Sequence, residues 1–456
     1  MNRRTFLKGA AFAGLAGAPG AAAQAPSGNA GKPLANDFVT VWESSDPPNL
    51  YAYSPGITHL PNGRLIATMD MGGSAVEKLP GIRKDRWLWR GKIFSSDDRG
   101  RTWKHRSDMP MKHARPFLAG KWLYVLGHAS VAPNWNRNGD LTVMRSSDNG
   151  ETWSEPAPLT EGQQWHQAPS NVVYANGRVY LVMERNTNTG YGDWPVAFLA
   201  PVLMSAPLDA DLRKREVWTF SNELSGDQLL SKIGMPHLIG VPFFKLGRTT
   251  PEGSPTTRPM RPLGWLETNV VQFTDPDHVW YDPTGRTFHL WMRSHTGSTN
   301  FAAILKAVES EDRARITLQP ETAPSGEVML YVPCPGGQMK FHILYDEKTR
   351  LFWLLSTQST DSMTRPERLG RDRVSLPNNE RHRLALHFSK NCVDWCFAGM
   401  VANSGAQGQG RHYASMVIDG DDLHVLSRSG DARAKSAHDG NLLTFHTVRR
   451  FRDLVY

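Results

Sequence analysis

One pattern recurs six times along the chain: a turn containing Gly or Asp, followed by a short run of β-branched and aromatic residues. Turn residues ahead of such runs are typical of β-hairpins, and we expect each run to form an inner strand of a small sheet. Because radial repetition of small sheets hides their edges, six such units predict an all-β chain folded as a six-bladed β-propeller. The six copies occupy residues 61–67, 120–126, 176–182, 284–291, 348–355 and 420–426.

The longest gap between copies, from the third to the fourth, contains a stretch rich in Pro, Gly and Thr at 224–263. We interpret this stretch as a loop insertion, and a seven-bladed alternative would need a blade hidden within it. Hydrophobic residues make up 39% of the chain, which is enough for a sizeable core and excludes global disorder. We therefore expect a single propeller domain over residues 26–456.

The N-terminus predicts an export signal. Arg3 and Arg4 precede an apolar stretch rich in Ala and Gly, and 23–25 offers a small-residue cleavage site. Twin arginines in this setting are typical of Tat signals, with an ordinary Sec signal as the alternative. Either route predicts a periplasmic or secreted protein after removal of residues 1–25. Beyond that segment no apolar run approaches the ~20 residues needed to span a bilayer, so we expect no membrane span.

Charge and cysteine content exclude several other classes of protein. The formal net charge of +8 lacks Lys or Arg runs, so it favours an anionic ligand weakly and nucleic acid poorly. The three cysteines, Cys334, Cys392 and Cys396, cannot all pair, which excludes a disulfide scaffold. We favour free thiols, with a bridge between Cys392 and Cys396 as the alternative. The sequence has no zinc, EF-hand or Gly-rich phosphate motif, so we expect no metal and no cofactor.

A second motif, S-x-D-x-G-x-T-W, occurs at 96–103 and 146–153, and a degenerate copy lies at 389–395. Its aspartates, Asp98 and Asp148, suit a turn in which a carboxylate accepts backbone N–H groups and Gly supplies positive φ. These segments resemble the Asp boxes, or BNR repeats, of the sialidase superfamily. The resemblance extends from about residue 40 to the C-terminus and implies the same propeller fold. It also implies that the motif aspartates are structural and lie far from any active site.

The resemblance also implies a chemistry. Sialidases are retaining glycosidases in which a Glu activates a Tyr nucleophile, an Asp acts as acid/base and three Arg hold the sugar carboxylate. Tyr413, followed by Ala-Ser, resembles the nucleophile, and Glu267, ahead of a Val-Val strand, resembles the activating Glu. Asp85, ahead of the first Asp-box-like segment, is the candidate acid/base. The partner would be an acidic oligosaccharide or polysaccharide.

Candidates for the carboxylate-binding arginines are Arg293, which ends a predicted strand, and Arg383, which we prefer to Arg381. The sequence departs from the family at one point. Where sialidases open their first strand with a Phe/Tyr-Arg-Ile-Pro segment, residues 53–59 contain no arginine. Each charge-assisted bond to a carboxylate is worth about 1.5–3 kcal/mol, so this loss bears directly on substrate binding.

Two alternatives to a hydrolase remain open. His59 lies where the arginine is missing, and His166 precedes the third strand copy at a similar depth. With Tyr413 and Arg293 they resemble the His, Tyr and Arg set of propeller lyases that act on ulvan or rhamnosyl-glucuronate, because abstraction of a proton α to a carboxylate needs a base near neutral pH. A carbohydrate-binding propeller without catalysis is the other alternative. In any of these, Trp165 is a candidate for stacking on a sugar face.

Overall fold

The computed structural model describes residues 31–135, 139–188, 198–233, 265–294, 300–361, 364–365, 368, 380–406 and 408–456. The predicted export signal at 1–25 lies outside the described residues, as does most of the predicted insertion. The described start of that insertion is not a loop: residues Gly226–Ile233 form an α-helix, α1. Its side chains Leu229 and Leu230 are buried against the neighbouring sheets, which explains why a helix forms in a chain made otherwise of strands.

The strands form six small antiparallel sheets, the blades of a propeller. Strand β1 (Val39–Glu43) comes first, and blade 1 contains β2 (Tyr51–His59), β3 (Leu65–Gly72), β4 (Gly91–Ser96) and β5 (Lys104–Met109). Blade 2 contains β6 (Lys112–Ala119), β7 (Trp122–Ala129), β8 (Asp140–Ser146) and β9 (Ala157–Pro158). Blade 3 contains β10 (Trp165–His166), β11 (Val173–Ala175), β12 (Arg178–Asn186), β13 (Leu199–Pro207) and β14 (Thr219–Phe220).

The second half of the chain repeats the arrangement. Blade 4 contains β15 (Leu266–Val271), β16 (Thr287–Arg293), β17 (Phe301–Glu309) and β18 (Ile316–Gln319), followed by the hairpin of β19 (Glu321–Thr322) and β20 (Val328–Met329), and by β21 (Tyr331–Pro333), which pairs with β17. Blade 5 contains β22 (His342–Asp346), β23 (Leu351–Thr357), β24 (Arg383–Ser389) and β25 (Cys396–Asn403). Blade 6 contains β26 (Arg411–Asp419), β27 (Asp422–Ser429) and β28 (Leu442–Val448), and β1 completes it. Short 3₁₀ helices lie at Val76–Lys78, Arg215–Val217 and Phe451–Leu454.

Pairing of β1 with β28 closes the ring, because the two ends of the domain share one sheet. Each blade contacts the next in chain order, and blade 6 contacts blade 1. Apolar side chains fill the spaces between blades, where Trp265, Trp291 and Trp353 are fully buried. The prediction of a six-bladed, all-β propeller is confirmed. No helix among the described residues is long and apolar enough to cross a membrane.

The six repeated segments are the second strand of each blade, not the innermost strand as predicted. The first strands lie at the axis: the Ser415 hydroxyl of blade 6 donates to the Pro55 carbonyl of blade 1 at 2.7 Å and to the Pro169 carbonyl of blade 3 at 3.1 Å. Second strands repeat clearly because they are regular and buried on both faces. Four of the first strands, β2, β6, β15 and β26, are interrupted by bulges, which hide the repeat.

The two full S-x-D-x-G-x-T-W segments form the same turn between the third and fourth strands of blades 1 and 2. The Asp98 carboxylate accepts the Thr102 N–H at 2.9 Å and the Thr102 hydroxyl at 2.6 Å. Asp148 accepts the same two groups of Thr152 at 2.9 and 2.6 Å. Both carboxylates accept hydrogen bonds from residues of their own turns, which agrees with a structural role.

Alternation of strand direction separates two faces of the ring. First strands begin and second strands end at one face, which we call the upper face, whereas the turns from third to fourth strands lie at the lower face. A residue at the start of a first strand and one at the end of a second strand therefore share the upper face. This rule locates the functional side chains described next.

Candidate active site

Tyr413, Glu267 and Arg293 meet at the upper face, near the axis. Arg293 Nη1 donates to the Tyr413 hydroxyl at 2.8 Å and to Glu267 Oε2 at 3.0 Å, and the Tyr413 hydroxyl donates to Glu267 Oε1. Tyr413 lies near the start of β26 in blade 6, and Glu267 near the start of β15 in blade 4. Arg293 ends β16. The structure thus brings together three of the residues that the sequence predicted.

Local backbone geometry places both Glu267 and Tyr413. Each lies in a β-bulge, with φ of 57° and 53°, a left-handed conformation that is costly for residues with a Cβ. Ser54 and His113 occupy the equivalent bulges of blades 1 and 2, with φ of 49° and 55°. Bulges re-aim side chains that a regular strand would direct elsewhere. Four blades therefore present a polar side chain from the same bulged position.

Burial and charge set the state of the cluster. Burial raises the pKa of Tyr413, and the neighbouring Glu267 carboxylate raises it further, so the phenol is neutral at pH 7. Burial alone would lower the pKa of Arg293, but Glu267 and Tyr413 beside it raise that pKa instead. Glu267 is fully buried, with its charge offset by Arg293. The Glu267 carboxylate is thus the direct acceptor of the phenolic O–H.

Two further buried arginines flank the Tyr413 ring. The guanidinium carbons of Arg381 and Arg428 lie 5.8 and 5.3 Å from the ring centroid, and that of Arg293 lies at 5.9 Å. Arg381 contacts His412 Nδ1 at 3.0 Å, and Arg428 donates to the His438 carbonyl, yet the Nε of each is buried without a hydrogen-bond partner. Burial lowers the pKa of Arg381 to about 9, which leaves it charged at neutral pH. Unsatisfied guanidinium donors around a phenol suit an anionic group.

The prediction preferred Arg383 to Arg381, and the structure reverses that preference. Arg383 lies two residues further along and bonds to the buried Glu380 carboxylate and to the Thr360 hydroxyl at 3.2 Å. It contacts none of the three residues of the central cluster in the described contacts. Because residues two apart share a strand face, alternation could not distinguish the two arginines. The hydrogen bond between Arg383 and the neighbouring Glu380 distinguishes the two arginines.

Arg428 was missed by the sequence analysis. The sequence around Arg428 resembles no known functional motif. However, Arg428-Ser429 and Arg293-Ser294 are the same dipeptide at the end of a second strand. That shared position was the available signal. Arg428 comes from blade 6, next to the arginine-free first strand of blade 1.

Asp85 does not occupy the predicted acid/base position. Its carboxylate accepts the Trp87 N–H at 2.8 Å, the Trp89 indole N–H at 3.1 Å and Arg83 Nε at 2.7 Å, all within its own loop. Burial alone would raise its pKa, but these hydrogen bonds lower it. An acid that must donate a proton near neutral pH needs the opposite shift. The loop itself explains why an aspartate is present here.

His59 lies at the lower face. It ends β2, six residues after Tyr53, which places it about 20 Å away at the usual rise of a strand. Its Nε2 is 3.5 Å from the Asp419 carboxylate, which also contacts Arg99. The prediction that His59 replaces the missing arginine at the site is wrong, because His59 lies at the lower-face end of β2 and the site lies at the upper face.

His166 belongs to a group of three imidazoles on blades 2 and 3. Its ring centroid lies 4.6 Å from that of His113, which in turn lies 5.1 Å from that of His128. His113 Nδ1 contacts the Ser54 hydroxyl, and its backbone N–H donates to the buried Asp70 carboxylate at 3.1 Å. Burial lowers the pKa of His113 well below its usual value, and Arg428 is among the cations that lower it further. Arg428 therefore lies within electrostatic range of His113.

Trp165 does not line the site. Its side chain is 2% exposed and packs edge-on against Phe220 at a centroid distance of 5.8 Å, within the core between blades 2 and 3. Its indole N–H donates to Gln163 at 2.9 Å. The prediction that it stacks on a sugar is wrong, because alternation along β10 turns Trp165 into the core and His166 away from it.

The described residues contain no group of three or more His, Cys, Asp or Glu side chains placed to hold a metal ion. All three cysteines are free thiols, and Cys334 and Cys392 are buried. Burial raises the pKa of both, so they remain protonated.

Comparison of folds places the chain among known propellers. A mutant of Trypanosoma rangeli sialidase displaying trans-sialidase activity matches with a TM-score of 0.51 and 14% identity, over 93% of this chain and 60% of that one. A Hadza microbial sialidase matches with a TM-score of 0.51 and 13% identity, over 90% of this chain and 68% of that one. A Dyadobacter fermentans protein of unknown function matches with a TM-score of 0.50 and 13% identity, over 90% of this chain and 97% of that one. No protein-family model and no curated protein sequence matches the chain. The fold is that of sialidase-like six-bladed propellers.

Proposed function

We propose that the protein is a retaining glycosidase that removes a terminal sugar bearing a carboxylate. The observation that carries this proposal is the Tyr413–Glu267–Arg293 cluster at the axis, flanked by Arg381 and Arg428. A phenol bonded to a carboxylate is an activated nucleophile. The fold is compatible with this activity but does not by itself select it.

The arginines argue for an anionic substrate. Three guanidinium groups surround Tyr413, and within that cluster Glu267 is the one carboxylate in direct contact with an arginine among the described residues. The upper face near Tyr413 is therefore positive and would attract an anion. Buried Nε donors on Arg381 and Arg428 cost free energy until an acceptor reaches them. A sugar carboxylate would satisfy them.

A tyrosine nucleophile suits such a substrate. An ionised carboxylate attacking next to the sugar carboxylate would meet like-charge repulsion, whereas a neutral phenol avoids it until its proton leaves. In the reaction, Tyr413 Oη bonds to the anomeric carbon while the glycosidic C–O bond breaks and the aglycone leaves as its alcohol after protonation by a general acid. The phenolic proton passes to Glu267, and Arg293 stabilises the charge that develops on Tyr413 Oη. Water then displaces Tyr413 and the phenolate recovers its proton from Glu267, which gives overall retention.

The test is incubation of the protein with aryl and natural glycosides of sialic and uronic acids, with the first-formed anomer identified by proton NMR. Release of the sugar with retained configuration supports the proposal. A first product of inverted configuration would overturn it. So would the absence of turnover together with binding that survives Tyr413→Phe, which would indicate a carbohydrate-binding propeller.

A uronate lyase is the second candidate, and the imidazole group favours it. His113 contacts the Ser54 hydroxyl and lies within electrostatic range of Arg428, and the His166 ring packs against His113, so an imidazole base and a cation for the carboxylate are both at hand. Elimination would leave a product lighter by one water than the hydrolysis product, with the ultraviolet absorbance of an unsaturated uronate. Mass analysis of products from uronic oligosaccharides separates the two reactions directly.

A further inference from the structure

We propose that His166, oriented by Glu184, is the general acid/base of the reaction and faces Tyr413 across the axis of the ring. This inference rests on the proposed glycosidase function and supplies the proton donor that Asp85 does not. It departs from the aspartate acid expected from the sequence. Four observations support it: blade order, a circuit of contacts, the His–Glu pair itself, and the state of the competing groups.

Blade order places His166 opposite the nucleophile. The blades follow one another around the ring in chain order, so blade 3 lies opposite blade 6. Tyr413 belongs to β26 of blade 6 and His166 to β10 of blade 3. A retaining glycosidase needs its nucleophile on one side of the anomeric carbon and its acid on the other. Opposite blades provide that arrangement.

A series of contacts links His166 to Tyr413 on one side of the axis. Glu184 accepts the Thr268 N–H at 3.1 Å and the Thr268 hydroxyl at 2.9 Å, and Thr268 directly follows Glu267 in β15. Glu267 in turn bonds to Tyr413. Thr268, which holds the carboxylate beside His166, and Glu267, whose carboxylate bonds to Tyr413, are thus consecutive residues of the same bulged strand.

On the other side of the axis, contacts through blades 1 and 2 link the same two residues. The His166 ring lies against His113, whose Nδ1 contacts Ser54. Ser54 follows Tyr53, and the Arg428 guanidinium carbon lies 3.9 Å from the Tyr53 ring centroid and 5.3 Å from that of Tyr413. His166 and Tyr413 therefore stand at opposite points of one closed ring of polar side chains.

The pair of His166 and Glu184 has the form of an acid/base dyad. The two residues are cross-strand neighbours, and His166 Nδ1 lies 3.9 Å from Glu184 Oε2. Both atoms are buried and have no other hydrogen-bond partner, so a small rotation joins them. Catalytic hydrogen bonds are often long before substrate binds. With Nδ1 directed at Glu184, Nε2 is the nitrogen left for a substrate, and the side chain is 12% exposed.

The competing groups are less suited to the role. Asp70 is 1% exposed and accepts the His113 N–H, so it is occupied and shielded. His113 directs Nδ1 at Ser54. His128 is fully buried, and its Nδ1 accepts the Gly139 N–H at 3.2 Å. His166 combines an orienting carboxylate with a partly exposed ring.

The proton balance closes over the two steps. In the first, the glycosidic C–O bond breaks while the C–O bond to Tyr413 forms, and His166 Nε2–H of the imidazolium protonates the leaving oxygen. In the second, neutral His166 takes a proton from water as that water attacks the anomeric carbon and the bond to Tyr413 breaks. His166 ends as it began, and Glu184 remains a carboxylate throughout. Only glycoside and water are consumed.

The experiment compares glycosides of one acidic sugar that carry good and poor leaving groups. A 4-nitrophenolate departs without help, whereas an alkoxide needs a proton. We expect His166→Gln to lose about 10²–10⁴-fold in kcat/KM on the alkyl glycoside but far less on the nitrophenyl glycoside, because kcat/KM reports the step in which the leaving group departs. Added azide should restore turnover of the nitrophenyl substrate by taking the place of water. Glu184→Gln should lower kcat/KM with the same dependence on the leaving group, and KM for the alkyl glycoside should stay nearly unchanged, as expected of a positioning residue.

Three control variants separate the outcomes. His128→Gln removes a buried imidazole of the same group and should keep the wild-type ratio of alkyl to nitrophenyl rates. If Asp70→Asn or His113→Gln shows the leaving-group dependence and His166→Gln does not, the assignment of His166 is wrong while the glycosidase function stands. If Tyr413→Phe leaves both substrates turning over, or the wild-type protein hydrolyses neither, the proposed function fails and this inference fails with it.

Discussion

The guanidinium carbon of Arg428 lies 3.9 Å from the centroid of the Tyr53 ring, so an arginine of blade 6 covers the start of the first strand of blade 1. That strand lacks the arginine that sialidases carry at this point. Arg428 reaches the same place from the end of a neighbouring second strand, where its guanidinium also flanks Tyr413. Three arginines, Arg293, Arg381 and Arg428, therefore surround the phenol of Tyr413.

Replacement of Arg428 should reduce selectivity for acidic sugars. Arg428→Gln removes one charged donor of the three, worth about 1.5–3 kcal/mol for a charge-assisted bond. We expect binding of a free acidic sugar to weaken about tenfold or more, while binding of its neutral methyl ester changes little. Calorimetric titration with the acid and the ester measures both. Equal losses for acid and ester would show that Arg428 does not contact the carboxylate.

The pair of Arg381 and Arg383 offers a direct test of the corrected assignment. Arg381→Gln should raise KM for an acidic glycoside about tenfold or more, because Arg381 flanks Tyr413. Arg383→Gln should change KM less than about threefold, since Arg383 bonds to Glu380 and Thr360 instead. Steady-state kinetics on both variants decides between them. The reverse order would restore the original preference for Arg383.

Loss of the Tyr413 hydroxyl should abolish turnover without unfolding the protein. Tyr413→Phe is expected to lower kcat at least about 10³-fold, because no other hydroxyl among the described residues contacts Glu267. Tyr180→Phe is the matched control: its hydroxyl also bonds to a buried carboxylate, Glu309, but lies in the core between blades 3 and 4. The control should lose stability and keep its kcat. A similar loss of kcat in both variants would contradict the nucleophile assignment.

The turn around Asp98 should contribute stability that depends on pH. Hydrogen bonds from Thr102 lower the pKa of Asp98 to about 2, below the ordinary value of about 3.9. A carboxyl whose folded pKa is depressed stabilises the protein above its unfolded pKa, and that stability is lost as pH falls toward the folded value. Asp98→Asn should therefore cost no more than about 1 kcal/mol at neutral pH, because the turn is partly exposed.

Thermal unfolding from pH 6 down to pH 2 tests this prediction. The difference in melting temperature between wild type and Asp98→Asn should shrink as pH falls from about 4 to about 2. Asp148→Asn, in the equivalent turn of blade 2, should behave alike, and kcat should be unaffected in both. A difference that is independent of pH would mean that the ionised carboxylate is not what stabilises the turn.

Local sequence was sufficient for the architecture and for part of the site. Six turn-and-strand repeats predicted six blades, because each repeat is a local hairpin whose turn residues and alternation are visible over a few positions. Tyr413, Glu267 and Arg293 were found from short segments that resemble a known motif, and the structure joins them. Each of the three residues lies in a strand that the sequence pattern makes recognisable.

Only the tertiary structure decides which side chains that are far apart in sequence share the upper face. His59 and Tyr53 belong to one strand yet lie at opposite faces, and Arg383 is engaged by Glu380 while Arg381 is not. The approach of Arg428 to Tyr53, and of Glu184 to Thr268, joins residues of different blades that are far apart in sequence. Burial, charge pairing and bulge geometry act through such tertiary contacts, and the contact of Arg428 with Tyr53 exists only once blade 6 has closed on blade 1.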